Sequence, residues 1–290
     1  MALQVADRYG GEIVSVDSMQ VYRGMDIGTA KASRAMQELV PHHLLDMLEP
    51  NCEMSVAEFQ REGKRVLDDL EARGVVPVIC GGSGLHFRAL VDPLEFPARD
   101  ESIRAELETR TPAEARARLE TIDATAGEHV DLANPRRVVR ALEIERITGR
   151  SPSERAATTV AAAVRAYHPA REFVAIGLDP GAELADRVVG RFDQMLADGL
   201  LDEVAGLRAR LGRLSVQAVG YKELLPVVDG EQDLAQGRTA AIRATMALAK
   251  RQRTFFRRDP RIHWITWDPD PAVRLRTVIN YLDGISSWSL

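Results

Sequence analysis

An acidic residue follows a short apolar run near the beginning of the chain, with hydroxyl and amide side chains beside it. The run occupies residues 13–16, and Asp17, Ser18, Met19 and Gln20 come directly after it. A run of this kind predicts a buried strand, and in an open α/β sheet ligands bind where the strands end. Asp17 is therefore a candidate for chemistry at that edge, although such a carboxylate can equally cap the next helix.

A glycine-rich loop follows a second apolar run. Residues 75–80 predict another buried strand, and Gly81, Gly82, Ser83 and Gly84 come next. Glycines after a strand let the backbone approach a ligand closely, and the N-terminus of a following helix favours an anion. Ser83 is the polar side chain of this loop and is a second candidate, unless the loop is only a tight turn.

Two basic segments are candidates for contact with nucleic acid. One predicted helix carries Arg136, Arg137 and Arg140, and a second ends in the basic residues 250–258, which include two phenylalanines. Positive charge interleaved with aromatic rings suits an RNA backbone and its bases. The alternative for both helices is a charged face that contacts only water. Because the net charge of the chain is -5, nucleic acid would have to bind such local basic surfaces.

The elements around these residues predict an α/β protein with a helical insertion. The chain has 290 residues, of which 45% are hydrophobic, enough for a large globular core. Strand and helix patterns alternate over residues 1–96 and 172–290, which we expect to form one core domain in two parts. Residues 97–171 have helical patterns alone, and their passage 151–163 predicts a linker or a loosely ordered loop.

Composition also bears on cellular location. No apolar run approaches the ~20 residues that a membrane-spanning helix needs. Cys52 and Cys80 form no CxxC pair and lack zinc-site spacing, so we expect them to be reduced packing residues in the cytoplasm. The pair His42 and His43 has no third ligand in view, which favours a structural role.

Several separated motifs resemble those of the tRNA dimethylallyltransferase family, which prenylates the adenosine just 3′ of the anticodon. The motifs follow the family's order and span essentially the whole chain, which makes them far more specific together than singly. In this sequence they are DSMQVYRGMDIGTAK at residues 17–31, GGSGLHF at 81–87, RRVVRALE at 136–143, LADRVVGRFDQML at 184–196, AVGYKEL at 218–224 and AKRQRTFFRR at 249–258.

The resemblance implies a fold, an activity and partners. The fold would be α/β, with a P-loop-NTPase-like parallel sheet flanked by helices and a helical tRNA-binding insertion domain. The activity would be transfer of a dimethylallyl group from dimethylallyl diphosphate to the N6 amine of that adenosine, with Mg²⁺ as cofactor. The anticodon stem-loop of tRNA would be the partner, and we expect a cytoplasmic monomer that needs no membrane.

The resemblance also implies a role for each candidate residue. Asp17 would accept the hydrogen bond of the reacting amine, and Ser83 would be the second catalytic residue. The diphosphate would be bound by Ser83, Arg187 and Arg191. The expected tRNA contacts are Asp17, Ser18, Met19, Gln20, Arg104, Arg136, Arg137, Arg140, Gly220, Tyr221, Lys222, Lys250, Arg251, Gln252 and Arg257.

One family feature is missing from this sequence. Proteins of the family carry a strand and a GxxxxGK[ST] loop before their first helix, and that loop holds the diphosphate with backbone amides and a lysine. The 290 residues contain no GxxxxGK[ST] pattern. We therefore expect the chain to lack this strand and loop, and to have an unpaired sheet edge or a gap between the strands near Ile13 and Val76.

Two other functions stay open. Without the phosphate-binding loop, the chain could be a catalytically inert tRNA-binding protein. It could instead be an AMP-prenylating or nucleotide-kinase-like relative, which would need no surface for tRNA. The basic segments at residues 136–140 and 250–258 speak against this last function.

Overall fold

The computed structural model describes residues 1–285, which divide into two compact units. The first unit combines Met1–Leu90 with the described part of Phe173–Leu290, and the second is Val91–Glu172. The predicted insertion, residues 97–171, falls within the second unit.

The first unit is an α/β structure. Its strands are β1 (Glu12–Ser15), β2 (His42–His43), β3 (Pro77–Cys80), β4 (Ala175–Leu178) and β5 (Ile262–Ile265). Its helices are α1 (Ala2–Arg8), α2 (Arg34–Leu39), α3 (Val56–Ala72), α4 (Gly84–Val91), α10 (Leu184–Ala197), α11 (Leu200–Leu207), α12 (Tyr221–Val228), α13 (Leu234–Phe256) and α14 (Pro271–Asp283). The numbers between α4 and α10 belong to helices of the second unit.

Two small parallel sheets form the centre of this unit. In the first, β1 lies between β2 and β3, and in the second β4 pairs with β5. All of these pairs are parallel, so their carboxyl ends lie at one edge of each sheet. The strand β2 was not predicted, because two residues are too short to show a periodic pattern. Its His43 contacts Glu12 of β1, with 2.6 Å between Nε2 and Oε2, in keeping with a structural role for the histidine pair.

The predicted gap between the strands near Ile13 and Val76 is wrong. Ile13 of β1 pairs directly with Val78 of β3, so the two strands are neighbours. The unpaired edge lies elsewhere. Within residues 1–285, β3 pairs with no strand on its other side. Pro77 and Cys80, at the two ends of β3, are exposed.

Local signals in the sequence place several helices correctly. Helix α3 begins after Ser55, whose hydroxyl accepts a hydrogen bond from the backbone of Glu58, and the Glu58 carboxylate accepts one from Ser55 in return. This capping box satisfies backbone N–H groups that a helix start leaves free. Helix α1 ends just before Gly10, which has a φ of 60°. Such a left-handed residue is a common helix stop.

The second unit is helical. Its helices are α5 (Glu101–Glu108), α6 (Pro112–Ile122), α7 (Pro135–Thr148), α8 (Pro152–Ala156) and α9 (Thr159–Arg165). Apolar side chains of α5, α6 and α7 form its core, including Leu107, Leu119 and Leu142. This core is separate from those of the first unit, as expected for an inserted domain.

The predicted linker or loose loop over residues 151–163 is wrong. Two short helices, α8 and α9, occupy this passage. Ser151 and Glu154 form a capping box around Pro152, and the backbone of Ser153 donates to Asp123 Oδ2 at 2.8 Å. Alanine-rich composition concealed these caps, which order the segment.

Two features considered from composition were membrane-spanning helices and the two cysteines. No helix within residues 1–285 is long and apolar enough to cross a membrane. Cys52 and Cys80 are free thiols, as expected, but both are exposed, so the expectation that they are packing residues is wrong. Cys80 is the last residue of β3, where the unpaired edge leaves it open.

Candidate active site

Backbone hydrogen bonds bring the Asp17 turn and the glycine-rich loop together at the carboxyl edge of the first sheet. Val16 N donates to Cys80 O at 2.9 Å, and Ser83 N donates to Val16 O at 3.1 Å. Ser18 N then donates to the Ser83 hydroxyl oxygen at 3.1 Å. The two candidates predicted from separate motifs, Asp17 and Ser83, therefore lie beside each other.

Gly81 allows this close approach. Its φ is 156°, and a Cβ there would lie 2.6 Å from Val16 O. Any other residue would push the loop away from the end of β1. The glycine is therefore required for the contact that aligns Ser83 with the Asp17 turn.

Asp17 keeps part of its carboxylate free. Its Oδ1 accepts a hydrogen bond from Met19 N at 2.8 Å, which closes a tight turn. Its other oxygen has no hydrogen-bond partner within the described residues, and the side chain is partly exposed. One oxygen therefore fixes the side chain, and the other can accept a hydrogen bond from a ligand.

Gln20 supports the Asp17 turn through hydrogen bonds inside the protein. The Ser15 hydroxyl donates to Gln20 Oε1 at 2.8 Å, and Gln20 Nε2 donates to Thr29 O at 3.0 Å. Both ends of the amide are thus engaged inside the protein. The side chain therefore positions the turn, and its predicted contact with tRNA stays a prediction.

Glu203 of α11 anchors the following loop. Its carboxylate accepts hydrogen bonds from three successive backbone N–H groups, those of Asp26, Ile27 and Gly28, at 2.8 to 3.1 Å. The Tyr221 hydroxyl donates to the same carboxylate. Sequence analysis missed Glu203, because an acidic residue on an amphipathic helix carries no signal of a backbone contact 175 or more residues away.

Tyr221 is buried and so contradicts its predicted tRNA contact. The side chain has no accessible surface, and its ring packs against Gly28, where a Cβ would lie 2.4 Å from Cε2. Burial, followed by the hydrogen bond to Glu203, raises the pKa of Tyr221. The tyrosine of this motif therefore holds the loop in place, while its neighbour Lys222 is exposed and bonds Gln217 at 3.1 Å.

Lys31 ties the same loop to its surroundings. The side chain is 2% exposed, and its ammonium lies 2.6 Å from carboxylate oxygens of both Asp26 and Asp46. It also donates to Tyr22 O at 2.8 Å. Because an unpaired buried ammonium would be costly, these three partners explain a buried lysine at the end of the first motif.

We expect Glu203→Gln to lower the free energy of unfolding by about 1–3 kcal/mol, because the amide nitrogen cannot accept the backbone hydrogen bonds. Urea denaturation of the variant would measure the change. Asp202→Asn is the matched control, since Asp202 is exposed on the same helix. Equal stability of the two variants would show that Glu203 does not anchor the loop.

The two arginines predicted to bind diphosphate, Arg187 and Arg191, have different neighbours. Partial burial lowers the pKa of Arg191, an effect that the nearby charge of Asp17 opposes and that of Arg187 reinforces. The charge of Arg191 therefore interacts with that of Asp17. The Arg187 guanidinium lies 4.8 Å above the ring of Trp267. The predicted diphosphate contacts of both arginines stay predictions.

His86, in the helix that follows the glycine-rich loop, packs against an apolar side chain. Its ring makes an edge contact with Phe59 at 4.6 Å between centroids. Burial lowers the pKa of His86, and the charge of Asp17 opposes that shift. The imidazole is therefore neutral at pH values near 7 and adds a dry wall rather than a charge.

Helix α13 packs directly on the glycine-rich loop. Gln252 Nε2 donates to Gly82 O at 3.1 Å, and a Cβ at Gly84 would lie 2.2 Å from the Phe255 ring. Gln252, a predicted tRNA contact, therefore positions the loop. Helix α13 therefore lies against the loop that aligns with the Asp17 turn.

The other predicted tRNA residues differ in what their side chains do. Lys250 and Arg251 of α13 are exposed, as is Arg257 directly after it, and Arg257 Nη2 donates to Asp179 at 2.9 Å. Gly220 has a φ of 95° and starts α12. It supplies backbone conformation rather than a side chain.

In the second unit, Arg136 and Arg137 are exposed at the start of α7, whereas Arg140 is not free. Its guanidinium donates to Pro97 O at 2.7 Å and contacts the fully buried Glu143 carboxylate at 2.9 Å. The predicted phosphate contact of Arg140 is therefore not supported, because its charge is neutralised inside the unit. Arg104 pairs with Glu108 at 2.9 Å and is partly exposed.

No metal centre made of protein ligands alone is present among the residues described. No three of their His, Cys, Asp and Glu side chains come together closely enough to hold an ion. Mg²⁺ at phosphoryl sites is commonly held by one or two carboxylates plus the substrate phosphates. Asp17 is the carboxylate at this edge, so a metal here would depend on the substrate.

Comparison with known proteins gives the family. The sequence profile described as IPP transferase matches residues 20–259. The chain belongs to the IPP transferase family. The match extends from Gln20 past the last basic residues of α13, so both units are included.

Members of the IPP transferase family resemble this chain over most of their length. The tRNA dimethylallyltransferase of Streptomyces coelicolor is 44% identical over 270 residues, which are 90% of this chain and 84% of that protein. The tRNA dimethylallyltransferase of Bifidobacterium animalis subsp. lactis is 42% identical over 291 residues, covering 98% and 82%.

Solved structures give a similar result. The tRNA isopentenylpyrophosphate transferase of Bacillus halodurans has a TM-score of 0.69 at 35% identity, covering 98% of this chain and 90% of that one. A eukaryotic dimethylallyltransferase acting on tRNA has a TM-score of 0.76 at 23% identity, covering 97% and 75%. At this lower identity the similarity establishes the fold alone.

Proposed function

We propose that this chain transfers a dimethylallyl group from dimethylallyl diphosphate to the N6 amine of the adenosine 3′ of the anticodon in tRNA. One observation carries the proposal: the half-free carboxylate of Asp17 lies beside Ser83, under a basic helix. The named activity of the relatives supports it, since they are tRNA dimethylallyltransferases.

The reaction needs a proton acceptor at the amine, a cation at the leaving diphosphate and an adenine that has left the anticodon-loop stack. The adenine N6 attacks the allylic carbon, so a C–N bond forms as the C–O bond to diphosphate breaks. The amine then gives a proton to the Asp17 carboxylate, and the bonding electrons leave with the diphosphate. Arg191, whose charge interacts with that of Asp17, would stabilise that negative charge. The target adenine must leave the anticodon-loop stack to reach this edge.

The finer features of the fold belong to the same proposal. We regard the two parallel sheets as a P-loop-NTPase-like sheet and the second unit as a tRNA-binding insertion. Mg²⁺ would bind mainly through the diphosphate, and no step above depends on it. The substrate would be found in the cytoplasm, where we expect the chain to act as a monomer.

The inert tRNA-binding protein is the second candidate function. The observation that favours it is the absence of GxxxxGK[ST] from the 290 residues, which removes the family's main diphosphate cradle. An acceptor assay separates the candidates. A version of the chain that carries the family's strand and phosphate loop would be incubated with labelled dimethylallyl diphosphate and either the anticodon stem-loop or AMP. Label in the stem-loop supports the proposed function, label in AMP indicates the small-molecule relative, and RNA binding without label indicates the inert protein.

The exposed basic residues should bind the RNA backbone. We expect the double variants Arg136→Glu/Arg137→Glu and Lys250→Glu/Arg251→Glu to weaken binding of all tRNAs alike. The slope of log affinity against log salt should flatten by about one unit for each phosphate that the variant no longer binds. Fluorescence anisotropy at several salt concentrations would measure the slope.

The matched control for these variants is Arg276→Glu, because Arg276 is exposed on α14 outside both basic segments. It should leave the slope as in the unaltered chain. If both double variants also keep that slope, the two segments are charged faces that contact only water.

A further inference from the structure

A cavity lies at the carboxyl ends of β4 and β5. Its volume is about 550 Å³, and its walls include Asp179, Arg257, Trp264 and Trp267. Asp179 directly follows β4, and Trp267 lies just beyond β5. Ligands bind at such strand ends, and cavities of about 300–1,000 Å³ hold small molecules or parts of larger ones.

Trp264 provides an accessible aromatic surface in this cavity. Its ring packs on the backbone of Gly177 in the neighbouring strand, where a Cβ would lie 2.5 Å from Cε3. The residue is nevertheless 37% exposed. One part of the ring is therefore fixed against β4, and the rest is open for a planar group to stack.

Trp267 is held in place on the other wall. Its Nε1 donates to Glu183 Oε2 at 2.9 Å. The guanidinium groups of Arg187 and Arg274 lie 4.8 and 4.1 Å from the ring centroid. The ring is therefore held by one carboxylate and two guanidinium groups.

The charge at the cavity continues that of the basic helix. Asp179 binds Arg253 and Arg257, and Arg257 remains 64% exposed while one of its nitrogens donates to Asp179. Lys250 and Arg251 lie on the same helix, α13, and are exposed. A flat apolar wall beside a row of cations matches a nucleotide, whose base stacks while its phosphate meets a guanidinium.

We propose that this cavity holds a base of the RNA substrate that neighbours the reacting adenosine, stacked on Trp264 with its phosphate at Arg257. The proposal rests on the proposed function, because it takes the RNA to be the tRNA that α13 contacts. It adds a base-binding site away from Asp17. Stacking needs no particular base, so the site would position the RNA rather than select one sequence.

The test measures RNA binding without dimethylallyl diphosphate, so it does not depend on catalysis. Anticodon stem-loops would carry 2-aminopurine on the 5′ or the 3′ side of the target adenosine. We expect the fluorescence of one of them to be quenched by the unaltered chain. Trp264→Leu should abolish that quenching and weaken affinity about tenfold, and Trp264→Phe should restore most of both.

Two controls separate stacking from charge and from folding. Leu234→Ala, which changes an exposed apolar residue of α13, should bind the RNA as the unaltered chain does. The salt dependence of binding should be unchanged in Trp264→Leu, because stacking releases no counterions. Thermal denaturation of Trp264→Leu would establish that the variant is folded.

Three results would overturn the proposal. Trp264→Leu could bind and quench like the unaltered chain, in which case the proposed function stands and the base site falls. AMP could displace the quenched RNA at equal affinity, which would indicate a site for free nucleotides. Failure of the unaltered chain to bind any stem-loop would overturn the proposed function together with the base site.

Discussion

Replacing Asp17 by Asn is expected to lower the turnover of prenyl transfer by about 10²-fold or more, with little change in tRNA affinity. The amide keeps the size of the side chain and its bond to Met19 N, but it cannot take the proton that the amine loses. The free oxygen of Asp17 at the sheet edge is the structural basis of this expectation.

The measurement is a single-turnover transfer assay in a version that carries the family's strand and phosphate loop, so that chemistry is fast enough to observe. Asp7→Asn is the control, because Asp7 is exposed on α1 and has no place in the proposed site. Turnover near that of the unaltered protein in Asp17→Asn would remove Asp17 from the role of proton acceptor.

The 290-residue chain itself is expected to bind tRNA detectably but to prenylate it very slowly or not at all. Backbone amides, a lysine and a hydroxyl of a GxxxxGK[ST] loop neutralise the leaving diphosphate in the family, and the sequence contains no such loop. Loss of even one oriented donor in such a site costs about 10² to 10³ in rate. We expect that Arg191 alone does not replace these amides, the lysine and the hydroxyl.

Fusing a designed strand and GxxxxGK[ST] loop in front of Met1 should increase activity and solubility. The unpaired edge of β3 offers a place for an additional parallel strand, and covering such an edge removes a site of aggregation. The control fusion has the loop lysine replaced by alanine, and it should gain solubility with much less activity. Rapid transfer by the 290-residue chain would show that Arg191 and the Gly81–Gly84 loop suffice.

Local signals explain which parts of the fold could be predicted. The capping box at Ser55 and the apolar runs before Asp17 and Gly81 act through neighbours in sequence, so their elements were placed correctly. The same local chemistry was present at Ser151 but was outweighed by alanine-rich composition, and α8 was missed. The two-residue β2 is too short for any pattern.

The site could be predicted only in part for a related reason. Motif residues were assumed to face the substrate, yet Gln20, Tyr221 and Gln252 use their polar groups inside the protein. A motif marks residues that a fold needs, and it does not separate ligand contacts from positioning contacts. Glu203 lies outside the motifs, yet it positions a loop of the first motif. It could not be predicted, because its partners lie far away in the chain.

Lys31 shows that a charged motif residue need not contact a ligand. The lysine closes the first motif and could have been read as a phosphate contact, but its side chain is buried between Asp26 and Asp46. Only the tertiary structure brings Asp46 to it. Charge alone therefore does not identify a ligand contact, and burial decides the matter.

Nucleoside analysis after transfer tests the proposed function most directly. The fusion with the phosphate loop would be incubated with dimethylallyl diphosphate and either the tRNA stem-loop or one whose target adenosine is replaced by guanosine. Digestion and mass spectrometry should detect N6-dimethylallyladenosine in the first RNA and no prenylated nucleoside in the second. Prenylated AMP without modified RNA, or no product from a fusion that binds both substrates, would contradict the proposed function.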